Sequence, residues 1–133
     1  MEGNEDCLYL NVYSKVDNNT ALQPVMFFIH GGGFEGGSAP LYDPASLVNE
    51  DVVVVTTNYR LGALGFLNFG NDIAPGNLGI RDQIQALQWV KRMITHFGGD
   101  PNKITIFGES AGAWSCNAIA MSPKAAGLMT GMC

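Results

Sequence analysis

Apolar and polar positions along the chain predict several short strands. From Leu8 to Val12, apolar side chains alternate with tyrosine and asparagine, which is the period of a strand buried on one face. The run from Val25 to His30 is apolar up to the histidine, and the run from Val52 to Asn58 begins with four valines. Both are typical of strands covered on both faces. A fourth strand is predicted from Lys103 to Phe107.

A long amphipathic helix is predicted before the last of these strands. Apolar residues recur there at spacings of 4, 3, 3, 4 and 3, as on one face of a helix. They are Ile80, Ile84, Leu87, Val90, Ile94 and Phe97. Gly98 and Gly99 end this helix, and a second helix of small residues is predicted from Ala111 to Met121. Strands that alternate with helices predict an α/β fold with a mostly parallel central sheet flanked by helices.

Composition narrows the class of protein. The 133 residues correspond to about one domain, and 12 acidic against 7 basic side chains give a net charge of −5. Charged residues make up 14%, against roughly 25% in an average soluble domain, while 47% are hydrophobic and 17 are glycine. Disorder and coiled coil need more charge and are excluded. The low charge and high glycine content predict a piece of a larger domain.

Charge and hydropathy also exclude several partners. The acidic balance, with no cluster of lysine or arginine, excludes a nucleic acid or an anionic membrane surface as partner. No apolar run approaches the roughly 18 residues of a membrane span. The acidic first residues lack the basic region of a signal peptide. The sequence gives no indication of oligomeric state.

The residues that commonly bind metals are scattered along the chain. Cys7, Cys116 and Cys133 leave at least one cysteine unpaired, and neither they nor His30 and His96 show metal-ligand spacing. We therefore expect no metal site and no cofactor.

A glycine-flanked serine follows the last predicted strand. Gly108-Glu109-Ser110-Ala111-Gly112 lies between that strand and the predicted helix of small residues, which is the context of a G-x-S-x-G nucleophile elbow. In such an elbow a tight turn exposes the serine oxygen, and the glycines avoid collisions with neighbouring backbone. Taken alone, the pentapeptide fits equally well a strand-to-helix connection that happens to use small residues.

A glycine-rich loop after the second predicted strand favours the catalytic interpretation. Gly31-Gly32-Gly33 follows His30, and backbone N–H groups in such a loop can bind the oxyanion of a tetrahedral intermediate. The run from Gly31 to Gly36 also matches the G-x-G-x-x-G fingerprint of dinucleotide-binding proteins. That fingerprint must lead directly into a helix, whereas Gly37-Ser38-Ala39-Pro40 cannot begin one there. The two motifs together therefore predict a serine hydrolase.

With these motifs in place, the chain resembles the type-B carboxylesterases, the carboxylesterase and cholinesterase branch of the α/β-hydrolase fold. The resemblance covers nearly the whole chain and rests on five segments: Glu5–Val12, Asn58–Gly62, Gly76–Gln83, Phe97–Pro101 and Phe107–Gly112. The run from Arg60 to Leu67 resembles insect esterases most.

The resemblance implies roles for the residues of the two motifs. Ser110 is expected to form the acyl-enzyme, and Gly32, Gly33 and Ala111 to supply the N–H groups of the oxyanion hole. His30 is similar to the residue that opens this loop, and we expect it to shape the loop by hydrogen bonding. The expected substrate is a small-molecule carboxylic ester.

The resemblance also assigns residues away from the serine. Arg60 and Asp82 match a buried structural ion pair, and Cys7 matches one half of a disulfide whose partner lies upstream of Met1. Asn18 begins an Asn-Asn-Thr glycosylation triplet. Together, Asn18 and Cys7 favour a secreted, extracellular protein.

The chain lacks two members of the expected catalytic triad. In this fold the acid and the histidine follow the serine, but the 23 residues after Ser110 contain no Asp, Glu or His. We therefore expect residues 1–133 to be a partial carboxylesterase domain, truncated at both ends and inactive alone, from an esterase that acts through Ser110. The alternatives are a truncated product with an interaction role and a non-catalytic, cholinesterase-like binding or adhesion protein. The presence of the serine counts against the adhesion protein.

Overall fold

The computed structural model describes residues 4–15 and 21–133, which form a five-stranded sheet with helices packed on it. The strands are β1 (Leu10–Tyr13), β2 (Gln23–Ile29), β3 (Val53–Thr57), β4 (Gly99–Gly108) and β5 (Gly131–Met132). Their order across the sheet is β1-β3-β2-β4-β5, so β2 lies in the centre. The predicted glycosylation residue, Asn18, lies outside the described residues.

The sheet contains both parallel and antiparallel strands. This corrects the prediction of a mostly parallel sheet. β2 runs parallel to both β3 and β4, and β5 runs parallel to β4, but β1 runs antiparallel to β3. Parallel strands need a crossover of about a dozen residues or more. Only nine residues separate Tyr13 from Gln23, so the chain reverses direction between β1 and β2 instead of crossing over.

Helices connect the parallel strands. They are α1 (Ala45–Val48), α2 (Gly62–Phe66), α3 (Leu78–Met93) and α4 (Ala111–Ala120), with 3₁₀ turns at Ala39–Leu41, Ile94–Phe97 and Pro123–Ala125. The predicted amphipathic helix is present as α3 followed directly by the second 3₁₀ turn. Gly98 ends that turn in the left-handed region, with φ of 81°. The short helix α2 was not predicted, because its five residues show no helical period.

The core lies between the sheet and α3. All five residues of β3 are buried, as the β-branched run predicted. Four of the six predicted apolar positions of α3 and its 3₁₀ turn are buried against the sheet: Ile84, Leu87, Val90 and Ile94. Because β2, β3 and β4 are parallel, their carboxyl ends lie together at one end of this packed sheet.

An ion pair connects the segment before α2 to α3. Arg60 Nε lies 2.7 Å from Asp82 Oδ2, and Arg60 Nη2 lies 2.7 Å from Asp82 Oδ1. The backbone N–H of Arg60 also donates to Asp82 Oδ2, at 3.1 Å. The side chains are 36% and 10% exposed, so the pair is half-buried, not buried as the resemblance implied. The arginine side chain is thus more exposed than the carboxylate that it pairs with.

One histidine lies inside the core. His30, at the end of β2, is 1% exposed. Burial lowers the pKa of His30, although its contact with the Gly31 carbonyl opposes that shift. The imidazole is therefore neutral in the folded protein near neutral pH.

Replacing the carboxylate of the ion pair should destabilise the chain. We expect Asp82→Asn to lower the free energy of unfolding by roughly 1–3 kcal/mol, because the arginine loses a bidentate charged partner but keeps access to water. Urea unfolding followed by circular dichroism measures this. The matched control is Asp51→Asn, since Asp51 is 71% exposed and pairs with Lys15. That loss should stay below about 1 kcal/mol, and equal losses in the two variants would contradict the structural role of the pair.

The buried imidazole should make stability depend on pH. Below pH about 6.5 the unfolded state binds a proton that folded His30 does not, so the free energy of unfolding should fall as pH drops from 6.5 towards the lowered pKa. We expect His30→Asn to lose less stability between pH 7 and 5 than the wild type. The control is His96→Gln, since His96 is exposed. Parallel pH curves for His30→Asn and the wild type would rule out this contribution.

Candidate active site

Ser110 occupies the sharp turn between β4 and α4. Its backbone has φ of 53° and ψ of −116°, a conformation that costs a non-glycine residue roughly 1–3 kcal/mol. The residue is exposed, and its Oγ makes no hydrogen bond within the described part of the chain. The turn therefore holds a free hydroxyl above the edge of the sheet, at the N-terminus of α4.

The glycines on either side of the serine are required by close backbone packing. A Cβ added at Gly112 would collide with the carbonyl oxygen of Ile29, at the end of β2. A Cβ added at Gly108 would lie 2.8 Å from the same oxygen. Real Cβ atoms do not approach an oxygen so closely, so β2, β4 and α4 can converge only without side chains at these positions.

The glycine-rich loop lies directly against this turn. A Cβ added at Gly31 would lie 3.2 Å from Ser110 Cβ and would collide with the side chain of Glu109. Gly32 and Gly33 follow with φ of 105° and 64°, values that L side chains rarely adopt. The structure thus brings together the two motifs that the sequence predicted as parts of one site.

The three N–H groups that were predicted to form the oxyanion hole have no acceptor in the part of the chain that the structure describes. Within residues 4–15 and 21–133, the N–H groups of Gly32, Gly33 and Ala111 donate no hydrogen bond. The Gly32 carbonyl, in contrast, accepts from Glu35 and Gly36 at 3.1 and 3.0 Å, which closes the loop into a turn. Free N–H groups beside an exposed hydroxyl can stabilise negative charge that develops on a bound oxygen.

A buried histidine and tyrosine lie behind the loop. Nδ1 of His30 lies 2.8 Å from the carbonyl oxygen of Gly31, and the His30 ring stacks on Tyr59 with centroids 4.5 Å apart and planes at 21°. The Tyr59 hydroxyl donates to the carbonyl oxygen of His30 at 2.8 Å. Burial raises the pKa of Tyr59 to about 12, with a smaller effect of Tyr42, so the phenol keeps its proton.

Sequence reasoning expected the loop-shaping role of His30 but missed Tyr59. Tyr59 follows β3, which pairs in parallel with β2, so both residues lie beyond the carboxyl ends of adjacent strands. In open α/β sheets this edge carries the functional groups. That rule would have singled out Tyr59 once the strand order was known.

An open apolar cleft of about 450 Å³ begins at the serine and runs along α4. Besides Ser110, it is lined by Ala113, Trp114, Asn117, Ala118 and Met121. Trp114 and Met121 are mostly exposed. Sequence reasoning did not find this cleft, because the small residues of α4 gave no periodic signal.

The remaining predicted groups lie apart from this site. Cys7, Cys116 and Cys133 are free thiols, so the described residues contain no disulfide, and the pairing implied for Cys7 stays a prediction. Burial raises the pKa of Cys116 to about 11, which keeps it an unreactive thiol.

In the described ranges, no group of three or more His, Cys, Asp or Glu side chains could hold a metal ion. None of the helices described combines the length and hydropathy needed to cross a membrane.

Comparison with known proteins gives consistent matches along the chain. The sequence model of the "Carboxylesterase family" matches residues 1–132. Carboxylesterase 5A of Canis lupus familiaris is 52% identical over 130 residues, which cover 96% of this chain and 23% of that protein. Juvenile hormone esterase of Tribolium castaneum is 51% identical over 130 residues, covering 96% and 22%. Venom carboxylesterase-6 of Apis mellifera is 50% identical over 129 residues, covering 96% and 23%.

These matches show which family the chain belongs to and how much of its relatives' length it covers. The chain spans slightly less than a quarter of the length of these three relatives. One mammalian and two insect proteins match at nearly equal identity, so the expected likeness to insect esterases is not distinctive. The match over residues 1–132 and the identity near 50% show that the chain belongs to the carboxylesterase family, which implies the α/β-hydrolase fold.

Proposed function

We propose that the chain is the nucleophile-bearing part of a larger carboxylic ester hydrolase that acts through an acyl-serine intermediate. The observation that carries this proposal is the close approach of Gly31, the first residue of the glycine-rich loop, to Ser110, where an added Cβ would lie 3.2 Å from Ser110 Cβ. A strained, exposed serine lies beside three N–H groups that have no acceptor among the described residues. Strained conformations of this kind cluster at active sites, where the surrounding structure holds them in place.

In the proposed reaction, Ser110 Oγ attacks the carbonyl carbon of a small-molecule carboxylic ester and gives its proton to a general base. The carbonyl oxygen of the tetrahedral intermediate is stabilised by the N–H groups of Gly32, Gly33 and Ala111. Loss of one such donor typically costs about 10²–10³-fold in kcat. The C–O bond to the alcohol then breaks, the alcohol takes up the proton, and water hydrolyses the acyl-serine to release the acid.

The general base and the acid that orients it come, in this proposal, from the part of the protein outside this chain. His30 is buried, and its Nδ1 faces the Gly31 carbonyl, which leaves it unsuited to accept the serine proton. His96 lies at the opposite end of α3 from the ion pair, on the exposed 3₁₀ turn. Residues 1–133 would then form a partial catalytic domain that cannot turn over substrate alone.

The apolar cleft along α4 supports an ester with an apolar group next to the reacting carbonyl. Trp114 and Met121 provide most of its large apolar surface. We further propose a secreted, extracellular location, which the name of the venom relative supports. Glycosylation at Asn18 is proposed from the Asn-Asn-Thr triplet alone. A binding or adhesion role has no comparable support, because it requires neither the strained serine nor the free N–H groups.

Removal of the serine hydroxyl should abolish hydrolysis in the full-length protein. We expect Ser110→Ala to lower kcat for p-nitrophenyl butyrate by about 10⁴–10⁶-fold, because no acyl-enzyme can form. The same variant should no longer react with a fluorophosphonate probe. The control is Ser46→Ala, which removes an exposed hydroxyl on α1. Unchanged hydrolysis by Ser110→Ala would contradict the proposed nucleophile.

The 133-residue chain alone should hydrolyse esters at the background rate. Without a general base, Ser110 remains a weak alcohol nucleophile. Fluorophosphonate labelling measured by intact mass checks this, with the full-length protein as positive control. Stoichiometric labelling of Ser110 in the isolated chain would show that the base lies within residues 1–133.

A further inference from the structure

The peptide unit between Gly31 and Gly32 links a buried histidine to the proposed oxyanion hole. A trans peptide is planar, and its C=O and N–H point in opposite directions. His30 Nδ1 lies 2.8 Å from the Gly31 carbonyl oxygen, and because that oxygen can only accept, Nδ1 carries the hydrogen. This bond fixes the direction of the Gly32 N–H, which has no acceptor among the described residues.

The His30 ring itself packs against two neighbours. It stacks on Tyr59, at a centroid distance of 4.5 Å. Gly37 lies close to the ring atom Nδ1, since a Cβ added at Gly37 would be 2.7 Å from His30 Nδ1 and 2.7 Å from the Gly31 oxygen. The imidazole is therefore packed against the Tyr59 ring and against the backbone of Gly37 near Nδ1.

The preceding peptide unit is anchored by the tyrosine hydroxyl. Tyr59 Oη donates to the His30 carbonyl oxygen at 2.8 Å, and both residues are almost fully buried. Tyr59 belongs to the segment that follows β3, which pairs with β2 along five residue positions. Two consecutive carbonyls before Gly32 are thus each bound by a buried neutral donor, one from Tyr59 and one from His30.

We propose that Tyr59 is a positioning residue for the oxyanion hole, acting through His30 on the peptide that carries the Gly32 N–H. This inference rests on the proposed ester hydrolysis at Ser110. Tyr59 touches no reacting atom in this scheme. It contributes by keeping the loop in the geometry needed when the carbonyl oxygen becomes an oxyanion.

The effect of losing this anchor should fall on the transition state. A donor turned away from the oxyanion weakens binding of the tetrahedral species more than binding of the planar ester. For Tyr59→Phe in the full-length protein, we expect kcat for p-nitrophenyl butyrate to fall about tenfold, with KM within about twofold of the wild type. This is less than removal of a donor, because the Gly32 N–H is displaced and not lost.

A tetrahedral-adduct inhibitor separates positioning from stability. An aryl trifluoromethyl ketone forms an oxyanion adduct with the serine, so its Ki should rise about as much as kcat falls in Tyr59→Phe. The matched control is Tyr42→Phe. The Tyr42 ring packs on Phe28 at 4.6 Å, and its hydroxyl has no hydrogen bond within the described residues. Tyr42→Phe should leave kcat, KM and Ki unchanged.

A second pair of variants tests the positioning of the Gly31–Gly32 peptide if Tyr59→Phe does not fold. His30→Asn keeps an N–H donor near the position of Nδ1, whereas His30→Leu removes it. We expect His30→Asn to retain at least several times the kcat of His30→Leu at equal KM. Equal kcat in these two variants would overturn the proposal.

The remaining outcomes distinguish the inference from the function on which it rests. If the wild type hydrolyses esters and Tyr59→Phe leaves kcat and Ki unchanged, the positioning role is wrong and the esterase proposal stands. A fall in thermal stability with kcat and Ki unchanged likewise overturns it. If the wild type neither hydrolyses esters nor reacts with fluorophosphonate, the proposed function fails and the positioning role fails with it.

Discussion

The close approach of three backbone segments is the constraint on which the site depends. The end of β2, the end of β4 and the first turn of α4 pack so tightly that a methyl group at Gly108 or Gly112 would strike the Ile29 carbonyl. Because the segments meet without side chains between them, the turn at Ser110 must be sharp and its backbone strained. The same approach leaves so little space at Gly31 that an added Cβ would lie 3.2 Å from Ser110 Cβ. The packing of the strands therefore also determines the geometry of the site.

Around that contact the protein interior is polar but uncharged. Tyr59 and His30 each donate one hydrogen bond to a backbone carbonyl, and Gln83 Nε2 donates to Ser115 Oγ at 3.1 Å between α3 and α4. Such groups are costly to bury unless they are hydrogen-bonded. Gln83 Oε1 has no partner within the described residues. The charged pair of Arg60 and Asp82, which joins the segment before α2 to α3, is only half-buried.

Much of this arrangement could be predicted from local patterns. The buried strands and α3 follow from hydrophobic period, and the two motifs follow from glycines at fixed offsets from a strand end. The contact between Tyr59 and His30 could not, since it joins residues 29 positions apart and depends on which strands are neighbours. The strand β1 was predicted, but its antiparallel direction was not, because an alternation of apolar and polar residues does not indicate the direction of a strand. The cleft along α4 lacked any signal in its small residues.

The strand order also determines when the site can form during synthesis. The strand β3 is made before β4, so β2 can pair with β3 while the other edge of β2 stays open until β4 has been made. There are 41 residues between Thr57 and Gly99. At a ribosomal rate of about 5–20 residues per second, synthesis of these 41 residues takes on the order of 2–8 seconds, and that edge of β2 is unpaired during this time. An unpaired, apolar edge strand is a template for association with other chains. The central position of β2, which supports the Gly31–Gly33 loop, therefore also leaves an apolar strand edge of the nascent chain open to association during translation.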